Sequence, residues 1–96
     1  MALPDQTLHA SSRVGSAFSK ADPHLVINTV SGAFDSFTTV NGDGYYQGCA
    51  VATMMINIAT EDVAAVGQLA QHIGQLLGQR SVGLETAGHY HSLSTA

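Results

Sequence analysis

The stretch from residue 49 to residue 59, CAVATMMINIA, constrains the fold more than any other part of the sequence. It carries no charge and is apolar at both sets of alternating positions, which is the pattern of a strand covered on both faces. It is about half the length of a membrane-spanning helix, and it includes Thr53 and Asn57. The sequence therefore predicts a long central strand over residues 49–59 in a soluble protein.

An amphipathic helix is predicted directly after this strand, over residues 61–78. Thr60 is a suitable N-cap, and Glu61 and Asp62 follow where the positive end of the helix dipole stabilises acidic side chains. At about 100° per residue the apolar side chains fall on one arc of this helix. The residues that we expect to pack onto the sheet are Val66, Ala70, Ile73 and Leu77.

Two further features distinguish this helix. Its opposite face is uncharged and favours either a solvated surface or a neutral interface; its residues are Gln68, Gln71, His72, Gln75 and Gln79. Small residues form a stripe beside the apolar arc, namely Ala64, Gly67, Gly74 and Gly78. A mid-helix glycine costs about 0.5–1 kcal/mol relative to alanine, so the stripe predicts close packing, with Gly78 at the helix C-terminus.

Shorter strands complete the predicted sheet, at residues 24–30, 34–40 and 80–86. The Asn-Gly and Asp-Gly steps of residues 41–44 predict a tight hairpin turn, because these residue types tolerate positive φ. The predicted fold class is α+β, a ferredoxin-like or half-ferredoxin-like sandwich. Its antiparallel or mixed sheet would have about four strands, covered by the single helix 61–78.

The predicted domain organisation has three parts. Residues 24–86 form a single α+β domain, since 96 residues and 9.9 kDa suit one domain. Residues 1–23 show no sustained periodicity and predict a mobile arm, or a poorly ordered first strand at about residues 13–18. Residues 87–96 predict a C-terminal tail. One helix cannot cover four strands, so we expect a homo-oligomer, a dimer or a trimer.

The charge and the cysteine content limit the classes of partner and the cellular compartment that we expect for this protein. The basic residues are Arg13, Lys20 and Arg80, against seven acids and a net charge of −4. The sequence has no basic stripe that could hold a phosphate backbone, so we do not expect a nucleic acid as a partner. We do not expect a membrane as a partner either. Cys49 is the single cysteine, which suits a reducing compartment, and the first residues lack a secretory pattern. We expect a cytoplasmic protein.

The candidate ligand-binding residues are Tyr45, Tyr46 and Gln47, because two aromatic rings and an amide could hold a planar, nucleotide-like molecule. His89 and His91 could begin a metal site with Cys49 or His72, but no third ligand has a characteristic spacing. We predict no metal site and no cofactor. Cys49 is expected to be a buried, inert thiol, and no nucleophile motif is present.

Residues 44–84 resemble the small phage S-adenosylmethionine lyases in two places. The matching residues are Gly44-Tyr45-Tyr46 before the apolar strand and Gln79-Arg80-Ser81-Val82 after the helix. The resemblance implies a phage origin and an active site shared between the subunits of a trimer, with Tyr46 as its tyrosine. The acidic residue that the family carries on the next strand has no counterpart in residues 49–59.

The functional expectation follows from that departure. We expect a phage or mobile-element accessory protein that binds a host component or a small ligand as a homo-oligomer, without catalysis. The alternative is an S-adenosylmethionine lyase-like enzyme whose active site is shared between subunits and includes Tyr46.

Overall fold

A computed structural model describes residues 5–11, 22–79, 81–86 and 89–95. These residues form five strands and two helices in the order β1, α1, β2, β3, α2, β4, β5. The strands are β1 (Asp5–Ser11), β2 (Thr38–Tyr46), β3 (Cys49–Ala59), β4 (Ser81–Thr86) and β5 (His89–Ser94). The helices are α1 (Asp22–Ser31) and α2 (Val63–Leu76).

The five strands form one sheet in the order β2-β3-β1-β4-β5, and every neighbouring pair is antiparallel. The first four strands and both helices have the β-α-β-β-α-β order of a ferredoxin-like fold. The fifth strand is added at the edge beside β4. The predicted α+β sandwich is therefore confirmed, with five strands and two helices where the sequence indicated about four and one.

Both helices lie on one face of the sheet, and the core lies between the two layers. Residues of alternate positions on β1, β3 and β4 point into it, as expected for half-buried antiparallel strands. The core residues of the sheet are Leu8, Ala10, Met54, Ile56, Ile58, Val82 and Leu84. The helices contribute Val26, Val30, Val66, Leu69, Ala70 and Ile73, and Leu77 packs at the margin. The predicted sheet-facing side of the second helix is thus confirmed.

The strand predicted at residues 24–30 is wrong, because this segment forms α1. Pro23 occupies the first turn of the helix, where a missing backbone N–H has no cost. Val26 and Val30 are one helical turn apart, and both are buried against the core. Packing of this apolar pair outweighs the low helix propensity of β-branched residues, on which the strand prediction depended.

The arm predicted for residues 1–23 is also wrong where the structure describes it, because β1 lies at the centre of the sheet between β3 and β4. Leu8 and Ala10 alternate with half-buried Thr7 and His9. The third inward position is Gln6, which is fully buried and donates from Nε2 to the carbonyl oxygen of Thr60 at 3.0 Å. Because one inward position is a glutamine, the alternation of apolar and polar residues that is typical of a strand is weak in the sequence. The alternative first strand at residues 13–18 lies outside the described residues.

The predicted C-terminal tail is wrong for His89–Ser94, which forms β5. Its end is attached to α2 by the glutamine face of that helix. Gln71 Nε2 donates to the carbonyl oxygen of Ser94 at 3.1 Å, and Gln75 Nε2 donates to that of Thr95 at 3.0 Å. The neutral helix face is therefore, in part, an intramolecular contact, which was neither of the two uses expected of it.

The beginning of α2 differs slightly from its prediction. The helix starts at Val63, and its N-cap is Asp62, whose side chain accepts a hydrogen bond from the backbone N–H of Ala65. The hydroxyl oxygen of Thr60 accepts from the N–H of Asp62 and so orders the preceding loop. At the other end, Gly78 has a φ of +69°, as expected for the residue after a helix C-terminus.

Candidate functional site

The β2–β3 hairpin carries the residues that the sequence marked for ligand binding. The tip consists of Gln47 and Gly48, with φ values of +50° and +79°. Two positive φ values in a two-residue loop are typical of a type I′ turn, which matches the twist of the strands. Tyr45 is 75% exposed beside this turn, and Gln47 is exposed on it. Tyr46 ends β2 and pairs with Cys49.

The hairpin turn predicted at residues 41–44 is wrong. These residues lie inside β2 and pair in register with residues 51–54 of β3. The strand is at an edge of the sheet, where glycine and asparagine are tolerated because few side chains must pack against them. The prediction that Cys49 is buried is also wrong, because this residue is exposed at the start of β3.

The second feature is the sheet face turned away from both helices, which we call the open face. Strand register assigns its residues, because cross-strand partners share a face. They include Thr7, His9, Val40, Thr53, Met55, Asn57 and Glu85. Thr7 and Asn57 are joined by a side-chain hydrogen bond of 2.5 Å. No described helix covers this face.

A cluster of three side chains, His9, Glu85 and Tyr90, stands out on the open face. His9 Nε2 lies 3.5 Å from Glu85 Oε1, an ion pair when the imidazole is protonated. The His9 and Tyr90 rings meet edge to face, with centroids 5.5 Å apart and an interplanar angle of 68°. Glu85 and Tyr90 are direct partners in the β4–β5 pair. The cluster brings together an imidazole, a carboxylate and a phenol.

Gly83 makes this arrangement possible. A Cβ atom at this position would lie 2.7 Å from Tyr90 Cζ and 2.8 Å from Tyr90 Cε2, and closer still to the hydroxyl oxygen. The hydroxyl end of the ring therefore rests on the Gly83 backbone, which lies between His9 and Ser92 in the sheet. Any side chain at residue 83 would displace the tyrosine.

Sequence reasoning missed this cluster as a unit. The predicted arm contains His9, the predicted last strand contains Glu85 and the predicted tail contains Tyr90, so the sequence analysis places the three in separate parts of the chain. The alternation of residues 6–10 is the signal that places His9 on a strand facing away from the core. No local signal joins His9 to residues 85 and 90, because the contact forms only when β1 lies beside β4.

A shallow groove of about 550 Å³ lies between the two helices on the other side of the molecule. Most of its lining side chains are polar or small, among them Asn28, Thr29, Gln68 and His72, and none of the described lining residues is an acid, a lysine or an arginine. His72 thus faces the helix groove, away from the open face. The groove contains none of the residues that the sequence marked for ligand binding.

The possible metal ligands are not brought together. His89 and His91 are exposed on β5, at the edge of the sheet. Cys49 begins β3, which is separated from β5 by β1 and β4. Within the described residues, no group of three or more His, Cys, Asp and Glu side chains could hold a metal ion. None of the described helices is long and apolar enough to cross a membrane.

Comparison with known proteins gives one informative match. No family model matches the sequence, and no curated protein matches it. A solved structure described as a phage SAM lyase in the apo state has a similar fold, with a TM-score of 0.69. The two sequences are 14% identical, and the match covers 97% of this chain and 90% of the other. The likeness therefore extends over β1 and β5 as well as residues 44–84.

Proposed function

We propose that this chain is a phage protein that binds S-adenosylmethionine, or a closely related adenosyl metabolite, as a homo-oligomer. The observation that carries the proposal is the fold match to a phage SAM lyase over 97% of the chain. A match of this extent includes the hairpin, the open face and both sheet edges. It favours a small ligand over a host macromolecule.

The hairpin tip supports binding of the adenosyl group. Tyr45 is 75% exposed in β2 beside the turn, so its ring can stack on a purine without first leaving a packed position. Gln47, two residues further along the chain, offers an amide that can both donate and accept hydrogen bonds. Tyr46 remains part of the proposed site because it lies between Tyr45 and Gln47 in the sequence.

The open face supports the oligomer. Both helices cover the same side of the five-stranded sheet, and none of the described segments forms a layer on the other side, where a second copy of the chain could pack. Its central side chains Thr53, Met55 and Asn57 are uncharged, and such a surface suits contact between subunits better than contact with water alone. A ligand bound at the hairpin could then touch two subunits.

Binding without turnover is the primary proposal, because β3 has no acidic residue that could assist proton transfer. Lyase activity is the second candidate function, and one specific observation favours it. Glu85 lies 3.5 Å from His9 beside Tyr90, so a carboxylate, an imidazole and a phenol meet on the open face. These are residue types that can move a proton and balance a positive charge.

The test combines affinity with product detection. We expect isothermal titration calorimetry to show S-adenosylmethionine binding, and mass spectrometry to find no methylthioadenosine above the spontaneous background. Tyr45→Ser should weaken binding about tenfold, since loss of stacking costs roughly 1–3 kcal/mol per base. Asp35→Asn, an exposed change in the loop after α1, is the matched control.

Two results would change the proposal. Absence of binding to any adenosyl compound at millimolar concentration would refute it. Methylthioadenosine that forms with the parent protein and disappears with Tyr46→Phe would establish the lyase function in place of simple binding.

A further inference from the structure

Glu85 on the open face is a half-exposed carboxylate that could pair with a cation. Its side chain is 46% exposed, and its ion-pair partner His9 lies 3.5 Å away, well beyond the roughly 2.7–2.9 Å of a strong charge-assisted hydrogen bond. His9 Nε2 is itself buried, and no described residue forms a hydrogen bond with it. No lysine or arginine occurs among the described residues. In this part of the chain, Glu85 therefore has no permanent cation beside it.

Tyr90 places an aromatic surface next to this carboxylate. Its ring is held from below by Gly83 and from the side by the imidazole of His9, yet the residue is 61% exposed. An aromatic ring attracts a cation electrostatically, and the attraction increases when the ring is already held in position. The ring and the carboxylate are on neighbouring strands, at paired positions.

We propose that Glu85, Tyr90 and His9 form a binding site for a small organic cation. The site rests on the proposed function for its ligand, the sulfonium group of S-adenosylmethionine. Glu85 balances the charge, Tyr90 contacts the sulfonium and its methyl group, and His9 supports the Tyr90 ring from the side. By strand spacing the cluster lies about 20 Å or more from Tyr45 of the same chain, so the adenosyl group of this ligand would contact the hairpin of a second copy of the chain.

The chemistry of the cluster favours an organic cation over a metal ion. One imidazole nitrogen and one carboxylate are too few ligands for a protein metal site, which has three or four. Within the described residues, no third ligand of the His, Cys, Asp or Glu type joins them. A sulfonium or a quaternary ammonium is weakly hydrated and gains from an aromatic ring beside a carboxylate.

The experiment compares two ligands that differ in charge. S-adenosylhomocysteine has a neutral thioether where S-adenosylmethionine has the sulfonium, and the two share the adenosyl group. We expect the parent protein to prefer S-adenosylmethionine about tenfold, as contact with a ring and a carboxylate would provide. Glu85→Gln should remove this preference and leave the affinity for S-adenosylhomocysteine unchanged. Asp35→Asn should retain the preference.

A second probe tests the cation site alone. Tetramethylammonium at millimolar concentration should shift the NMR signals of the His9 and Tyr90 side chains in the parent protein, and the shifts should disappear in Glu85→Gln. Tyr90→Leu should reduce the preference for the sulfonium as well. The circular dichroism spectrum of each variant shows whether the sheet is intact.

The outcomes separate the two proposals. Equal affinity for both adenosyl compounds, or a preference that survives Glu85→Gln, would overturn the cation site and leave the proposed function in place. If neither adenosyl compound binds but tetramethylammonium still shifts His9 and Tyr90, the cation site stands and the proposed function falls. If no probe binds, both are refuted.

Discussion

The two mid-helix glycines of α2 look equivalent in the sequence but have different surroundings. A Cβ atom at Gly74 would lie 2.5 Å from Val82 Cγ2, and still closer to a methyl carbon of Thr95. A Cβ atom at Gly67 would have no heavy atom within 4 Å. The expectation of close packing is thus confirmed at Gly74, where β4 and the end of the chain approach the helix, and is wrong at Gly67.

This difference gives a matched pair of substitutions. We expect Gly74→Ala to lower the free energy of unfolding by about 1–3 kcal/mol, because Val82 and Thr95 are branched at Cβ and cannot easily move away. Gly67→Ala should raise it by up to about 1 kcal/mol, since alanine is the better helix former. Urea denaturation of both variants measures the two effects. A stabilised Gly74→Ala variant would contradict the packing described here.

At the residue scale, side chains that act within one element were predictable and those that act between elements were not. Periodicity alone identified Val66, Ala70 and Ile73 as the buried side of α2, because each is fixed by its position on a single helix. The contact of His9 with residues 85 and 90 depends on β1 pairing with β4, and nothing local in the sequence specifies that pairing.

At the scale of elements, the sequence predicted β3 and α2 well and missed α1 and β1. The first two have long apolar patterns of a single period, so local sequence and final packing agree. In α1, β-branched residues favour a strand, whereas burial of Val26 and Val30 favours a helix. In β1 a buried glutamine hides the alternation. In both α1 and β1, tertiary contacts determine the secondary structure more strongly than the local sequence does.

The β2–β3 hairpin provides a test at this scale. Gly48 has a φ of +79° and Gly42 does not have a positive φ, although the sequence favoured residues 41–44 for the turn. We expect Gly48→Ala to destabilise the protein by about 1–2 kcal/mol, because a Cβ atom disfavours the left-handed region. Gly42→Ala, with no heavy atom near its Cβ position, should have little effect.

Thermal or urea unfolding of the two variants decides between the turns. The larger loss of stability should occur at residue 48. A larger loss at residue 42 would mean that the chain reverses at residues 41–44, with a different register between β2 and β3.

At the scale of the whole molecule, the open face of the sheet is the surface on which we expect self-association. The sequence indicated one helix for four strands, which would leave half of one sheet face uncovered. The structure adds α1 to the helix-facing side of the sheet, and among the described residues no second layer covers the open face, where we therefore expect a partner to pack. The fold class was predictable because two adjoining patterns, a strand and a helix, already require an α+β sandwich.

The last prediction places the subunit interface on the open face. Light scattering at micromolar concentration should give a mass of at least two 9.9 kDa chains. Met55 is half-buried on this face between His9 of β1 and Val40 of β2, so Met55→Lys would put a charge at the centre of the proposed contact. A buried unpaired charge is costly, and we expect this variant to be a folded monomer. Gln68→Lys, on the exposed side of α2, is the control and should keep the parent mass. A monomeric parent protein would exclude the oligomer, and dissociation by Gln68→Lys alone would move the interface to the helical layer.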